Sequence, residues 1–325
     1  MIVLSAEDVR AELEAPAAID AVEAVLTQEV SSRARAPARV TVETDHGWLR
    51  VMPGVAFGGA GRPVTGAKII ALARGGGLSY LLLLYDERSA ELLAMMDASV
   101  LTQLRTGAVS AAFVRQACPG GVADLGLFGS GFEARGQLQM IAHAVQVARA
   151  RIYSRDPARR EAFAREMSAA LGIPVEAVEN PEAVAAAPLV VLATRATAPV
   201  IEGRWFRPGA VVVSIGSTRP ELREVDVETI RRAGRIIVDH TDQAAAESGD
   251  IRAGMEEGAV TESDLVELGR VLAGTLPLRV ADSRLVLFKP SGTAVEDLAI
   301  GRLVYERCRR AGRGTALDFL TRKPR

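Results

Sequence analysis

LGLFGSGFEARGQL, residues 125–138, runs from an apolar stretch through a glycine turn into a helical pattern. Within it, Gly129-Ser130-Gly131-Phe132-Glu133-Ala134 fits G-x-G-x-x-G/A. The first glycine permits a tight turn, the second lets backbone approach a pyrophosphate, and the small last residue allows close helix–strand packing at a helix N-terminus. The context is the one this motif requires: an apolar strand before, a helix after, and a second strand ending about 20 residues later. A bound dinucleotide is therefore expected at this turn.

The alternation continues outward from it. "VADLGLFG" reads as a buried strand, 132–149 as a helix, "ARIYS" as a second strand and 157–171 as a second helix. "PLVVLATRA", "GAVVVSIGS" and "GRIIVDH" add three strands, giving the β-α-β-α order of a parallel, helix-covered sheet. At the end of the second strand a carboxylate would favour NAD, whereas a serine-arginine pair suits a 2′-phosphate. Ser154-Arg155, with Arg159 and Arg160 behind it, predicts NADP(H) over NAD(H), although Asp156 blurs the signal.

The N-terminal part has a different grammar. "LSAEDVRAEL" offers Ser5 as N-cap with Asp8 three residues on, and Pro16 opens a second helix through about Ser31, so the chain is expected to start helical. Between Ala38 and Asp97, "ARVTVET", "WLRVMPG", "TGAKIIALA", "LSYLLLLYD" and "AELLAMM" are short β-rich runs. They are punctuated by Asp45-His46-Gly47, a Gly/Pro cluster at 58–63 and Gly75-Gly76-Gly77, which predicts a mainly antiparallel sheet. Asp97 then caps a helix, and "RLVLFKPSGTAVEDLAIGRLVYERCRR" closes the chain as strand, glycine turn and long helix. That last helix is expected to return to the first domain.

The 325 residues, 49% hydrophobic, suit two domains that each bury a core. A formal net charge of -1 provides no basic field for nucleic acid, and a small-molecule partner is expected instead. No basic n-region with an apolar run opens the chain, and no uncharged run is long enough to span a bilayer, so a cytoplasmic protein without membrane association is expected. Cys118 and Cys308 lack metal-ligand spacing, and His46, His143 and His240 are scattered, so no metal site is predicted.

A nicotinamide enzyme needs cations for a substrate carboxylate and a proton donor. Arg39 follows Pro37 at a strand start, Lys68 lies within "TGAKIIALA", and Arg105 sits on an apolar helix where an unpaired guanidinium would be costly to bury. Singly, each is more often a structural ion pair.

In combination they resemble a known family. P-A-R (37–39), "MPG" (52–54), "GAK" (66–68), "MMDASVLTQLRTGAVSA" (95–111), "GSGFEA" (129–134), "GSTRPELREVD" (216–226) and "FKPSGTAVEDLAIGRLVYE" (288–306) are similar, in this order, to the ornithine cyclodeaminase/mu-crystallin family. The resemblance implies an α/β protein with two parts. A Rossmann NAD(P)-binding domain spans 118–293, and an α+β substrate-binding and dimerisation domain at 1–117 is completed by about 294–325. It implies a homodimer, and it implies that Arg39, Lys68 and Arg105 clamp the substrate carboxylate, with Lys68 and Arg105 the catalytic candidates. Arg50, Thr218 and Ser291 are further substrate-binding candidates. Gly129, Gly131, Phe132, Glu133 and Ala134 are the cofactor-binding candidates of the turn, and Ser154, Arg155, Thr194, Ile215 and Gly216 those of the following strand ends.

Departures from the family pattern narrow the activity. Where cyclodeaminases carry an aspartate shortly after the "IG" at 215–216 this chain has Thr218, and where they carry a glutamate two residues before M-P it has Arg50. Two acids that would attract a diamine have become a neutral residue and a cation. The sequence is therefore read as a reductase of a small 2-imino acid, with an ornithine cyclodeaminase as the first alternative and an NADPH- and ligand-binding protein as the second. If Arg50 faces the site, a second substrate carboxylate becomes plausible. Asp297, in "AVEDLA", is read as structural.

Overall fold

Ser5 accepts a hydrogen bond from the Asp8 backbone N–H at 3.2 Å, and Asp8 accepts from the Ser5 N–H at 3.0 Å. This capping box starts α1 (Ala6–Glu12). Pro16 stands in the first turn of α2 (Ala15–Val30), where its missing N–H costs nothing. Ahead of both, Ile2–Leu4 forms β1 rather than a helical start; three residues are too few to display a period. The computed structural model describes residues 1–31, 33–57, 63–279 and 284–318, so the Gly/Pro cluster at 58–63, apart from Pro63, lies outside the described residues.

The chain divides into two units, Met1–Arg105 with Thr293–Arg325, and Thr106–Gly292. In the first, β2 (Val40–Thr44), β3 (Gly47–Ala56), β4 (Val64–Ala73), β5 (Leu78–Asp86) and β6 (Leu92–Asp97) form an antiparallel meander. β1 adds to β6 in parallel, giving a seven-stranded sheet among the described residues once Thr315–Ala316 pairs with β1. Alternation along β5 is clean, with Leu82, Leu84 and Asp86 buried and Leu81, Leu83 and Tyr85 half-buried. The buried face carries the C-terminal helix Ala294–Ala311. Glycines let that helix approach closely. A Cβ on Gly66 would stand 2.9 Å from Leu298, and one on Gly301 would stand 2.3 Å from Leu82.

The helix following β6, α3 (Ser99–Ala117), starts beside the Asp97 carboxylate, which accepts from the Ser99 N–H at 2.9 Å. Among its described residues the second unit is built on a parallel sheet of eight strands: β7 (Leu125–Phe128), β8 (Ala150–Tyr153), β9 (Val175–Ala177), β10 (Leu189–Leu192), β11 (Val211–Ser214), β12 (Ala233–Val238), β13 (Leu265–Glu267) and β14 (Leu285–Phe288). Its order is β13-β12-β14-β11-β10-β7-β8-β9. Every residue of β7, β10, β11 and β14 is buried, as expected of strands covered on both faces. α4 (Phe132–Ala144) follows β7 and α5 (Pro157–Leu171) follows β8. α4 ends before the predicted 149 because Val147 bridges to Val122 and Gln146 accepts from the Val122 N–H, which requires extended chain there. β9 and β13, three residues each, are invisible in the sequence pattern for the same reason as β1.

Candidate active site

β7 and β10 are neighbours, yet the chain proceeds from β7 to β8 and β9 on one side and from β10 onward on the other. This reversal is the point at which ligands bind outside the carboxyl ends of a doubly wound sheet. Gly129 leaves β7 with a φ of +113°, and a Cβ there would lie 2.4 Å from the Ala193 carbonyl oxygen, so glycine is required twice over. Gly131 is the N-cap of α4 with no side-chain cap, and a Cβ on it would meet nothing within 4 Å. The first-turn N–H groups of α4 are thus presented to open space, as an anion site demands. Gly129 to Gly131, Tyr153 to Asp156, Arg159 and the loop 193–200 enclose a cavity of 1030 Å³. A bare glycine turn, an uncapped helix start and a cavity of this size fit a dinucleotide.

Of the cofactor candidates, Gly129, Gly131, Ser154, Arg155 and Thr194 line this cavity. Phe132, Glu133 and Ala134 form the first turn of α4 instead, with Phe132 exposed and Ala134 buried. Buried Ile215 and half-buried Gly216 follow β11 directly, beside the end of β10. Thr218 is half-buried two residues beyond Gly216, and buried Ser291 donates its backbone N–H to Asp239 at 2.8 Å. The loop 195–200 and Asp156 are cavity residues that the sequence candidates do not include. Their signal is the position of "ATRATAP" at the carboxyl end of a buried strand.

The other candidates belong to the N-terminal unit. Lys68 on β4 pairs in register with Met52 of β3 and Leu82 of β5, and so points to the face covered by the C-terminal helix. Its ammonium, 1% exposed, lies 2.7 Å from the Asp297 carboxylate. Arg105 sends Nε to the other Asp297 oxygen at 2.9 Å and Nη1 to Glu296 at 2.9 Å. Two cations and two anions are thus buried together, which satisfies what burial of any one alone would make prohibitive. Glu296 and Asp297 occupy the first turn of their helix, where the backbone dipole favours acids. Burial pushes the Lys68 ammonium down to about 8 and Arg105 pushes the same way, while Asp297 and Glu296 hold it up.

Arg50 pairs with Ile70 of β4 and Thr41 of β2, so period-2 alternation sets it on the same sheet face as Lys68. Its Nε donates to Thr41 Oγ1 at 2.9 Å and its guanidinium stands 5.1 Å from the Trp48 ring centroid. Arg39, half-buried, stands one residue ahead of β2. The fold therefore joins Lys68 to Arg105 and places Arg50 on the Lys68 face. Asp297, read from sequence as structural, is the group that links the first two.

The ornithine cyclodeaminase/mu-crystallin family model matches residues 1–312. The mouse (Mus musculus) ketimine reductase mu-crystallin is 32% identical over 274 residues, 82% of each chain. The structure of Thermococcus litoralis Δ1-pyrroline-2-carboxylate reductase in complex with NADH and L-proline superposes with a TM-score of 0.91 at 29% identity, covering 98% of this chain and 100% of that one. An archaeal alanine dehydrogenase dimer with bound NAD gives 0.91 at 25% identity, covering 98% and 99%. The chain belongs to the ornithine cyclodeaminase/mu-crystallin family. It is an NAD(P)-dependent oxidoreductase of the C=N-reducing or deaminating kind, acting on imino or amino acids.

The expected preference for NADP(H) is corrected by the two solved structures, which hold NADH and NAD. Of the arginines that suggested a 2′-phosphate, Arg155 and Arg159 line the cavity and Arg160 is engaged locally. Arg160 is buried, donating to the Ser154 carbonyl at 2.9 Å and lying 5.9 Å from the Tyr153 ring centroid. Asp156 caps α5 by accepting from the Arg159 N–H at 3.1 Å. The segment is a capped helix start with a carboxylate on the cavity wall. No helix among the described residues is long and apolar enough to cross a membrane.

Proposed function

We propose that this chain reduces the C=N bond of a small 2-imino acid with NADH. The observation that carries the reading is the buried Lys68–Asp297–Arg105 group, a protonated amine and a guanidinium fixed by one carboxylate on a single sheet face. A dinucleotide bound at the glycine turn supplies the hydride. Arg105, with Arg39, holds the substrate carboxylate, and Lys68 delivers a proton toward the substrate nitrogen as the carbon accepts the hydride. Arg50 on the Lys68 face makes the surroundings cationic, which repels the second ammonium of a diamine and favours a second carboxylate. Thr218 stands where cyclodeaminases resemble one another in an acid, and its hydroxyl, unlike that acid, does not take a proton from a reacting amine.

The test follows oxidation of NADH by pyrroline-2-carboxylate, piperideine-2-carboxylate, and pyruvate or oxaloacetate with ammonium or methylamine. An ornithine-plus-NAD ammonia assay runs alongside. Oxidation by at least one imine, with no ammonia from ornithine, is the expected result. Ammonia from ornithine without imine reduction would reverse the reading to a cyclodeaminase, and silence in both assays would favour a ligand-binding protein.

We further propose a homodimer formed through the sheet face opposite Lys68. Val42, Leu49, Ile69, Leu81 and Leu83 share that face by register and are exposed or half-buried, a contiguous apolar surface of the kind that marks an interface. Light scattering should give twice the 34.4 kDa chain mass, and Ile69→Asp should shift it to one chain mass. A wild-type protein of one chain mass would contradict the proposal.

A further inference from the structure

Behind the cavity wall lies a carboxylate that no catalytic role uses. Glu224 is fully buried and accepts four hydrogen bonds from the ends of two strands. Oε1 takes the Thr194 N–H at 2.6 Å and its hydroxyl at 2.8 Å, while Oε2 takes the Gly216 N–H at 2.6 Å and the Ser214 hydroxyl at 2.8 Å. The donors sit at or just beyond the carboxyl ends of β10 and β11, which run parallel with Leu192 opposite Ser214. The fit is tight, because a Cβ on Gly216 would stand 1.9 Å from the Thr194 carbonyl oxygen and 2.5 Å from Glu224 Oε1.

The same segment holds the cavity loop by its backbone. The Arg223 N–H donates to the Ala196 carbonyl and the Val200 N–H to the Glu224 carbonyl, each at 2.9 Å. Glu224 is anchored in turn, since the Asp250 carboxylate accepts from the N–H groups of Glu224 at 2.9 Å and Val225 at 3.2 Å. Loop 193–200, one wall of the cavity, is thus gripped at Thr194, Ala196 and Val200 by residues 223–224.

We propose that Glu224 is a positioning residue for the dinucleotide: it touches no ligand but fixes the loop 193–200 in the shape that receives one. This rests on the reading of the cavity as the NADH site. Rigid pre-arrangement of a binding wall lowers the entropy lost on binding, so loosening the grip weakens affinity before it affects chemistry.

Glu224→Gln is close to isosteric but can accept on one side only. Either the Thr194 or the Gly216 N–H must then face an amide donor in a buried site. Fluorescence titration with NADH is expected to give a Kd raised about ten-fold, while kcat at saturating NADH falls less than about three-fold. Ser214→Ala, a buried residue outside the cavity lining, removes one bond to the same carboxylate and should raise Kd about three-fold. It decides alone if Glu224→Gln does not fold. A merely structural Glu224 would lower the melting temperature and the active fraction with Kd unchanged in both variants, and that result overturns the proposal. Wild-type protein that binds no NADH would overturn the cofactor reading itself, and the proposal with it.

Discussion

Lys68→Ala is expected to lower kcat for imine reduction by about 10²–10⁴-fold, the range for loss of a positioned proton donor, with the Kd for NADH unchanged within about two-fold. Lys68 is held in the N-terminal unit at 2.7 Å from Asp297, whereas the residues of the dinucleotide cavity all belong to the other unit. The substitution removes one of two buried cations and leaves Arg105, at 2.9 Å from each, to hold both the Asp297 and Glu296 carboxylates, so a loss of stability is expected beside the loss of rate. A thermal melt and an active-fraction measurement of the variant separate the two, with kcat taken per folded enzyme. Steady-state kinetics beside an NADH titration make the measurement. An equal loss in kcat and in NADH affinity would show that Lys68 does not act on the substrate.

Asp297→Asn is expected to move the pH profile as well as the rate. In the wild type the Lys68 ammonium loses its proton as pH rises through about 8, so kcat/KM for imine reduction should be level below that pH and fall above it. Burial lowers the Lys68 value most, Arg105 lowers it further, and Asp297 is the largest influence raising it, with Glu296 adding to Asp297. Replacing the carboxylate by an amide removes the largest raising influence, keeps only that of Glu296 and leaves both lowering ones, so the basic limb must move to lower pH. Activity at neutral pH should fall about ten-fold or more, because above its pKa the protonated fraction of an amine drops about ten-fold for each further drop of one in that pKa. A limb that stays in place while the rate falls would mean that Asp297 orients Arg105 but does not govern Lys68.

The features legible in the sequence are those written in local patterns. The glycine turn, the buried strands on either side of it, the β-rich runs from 38 to 97 and the Ser5 capping box all rest on neighbours within a few residues. Strands of three residues, at 2–4, 175–177 and 265–267, carry too few positions for a period and gain their identity from pairing partners elsewhere in the chain. The same limit applies to charge. Arg105 and Glu296 are separated by 191 residues, and nothing local in "AVEDLA" reveals that its acids face two buried cations. The cost of burying a cation marks Lys68 and Arg105 as candidates, while Asp297, which offsets that cost, reads locally as a helix-turn residue. Ser154-Arg155 misleads in the opposite direction. An arginine after a second strand is ambiguous until its donors are followed, and Arg160 donates to the Ser154 carbonyl with its guanidinium 5.9 Å from the Tyr153 ring centroid.

In the proposed reaction, hydride ends on the carbon that bears nitrogen beside a carboxylate. The most direct measurement incubates the protein with pyrroline-2-carboxylate and NADH carrying deuterium at both C4 positions of the nicotinamide, and locates the label in the product by mass spectrometry and NMR. Proline carrying deuterium at C2, formed in step with oxidised cofactor, is the expected product. Unlabelled product, or proline formed only from ornithine with release of ammonia and no net consumption of cofactor, would contradict it.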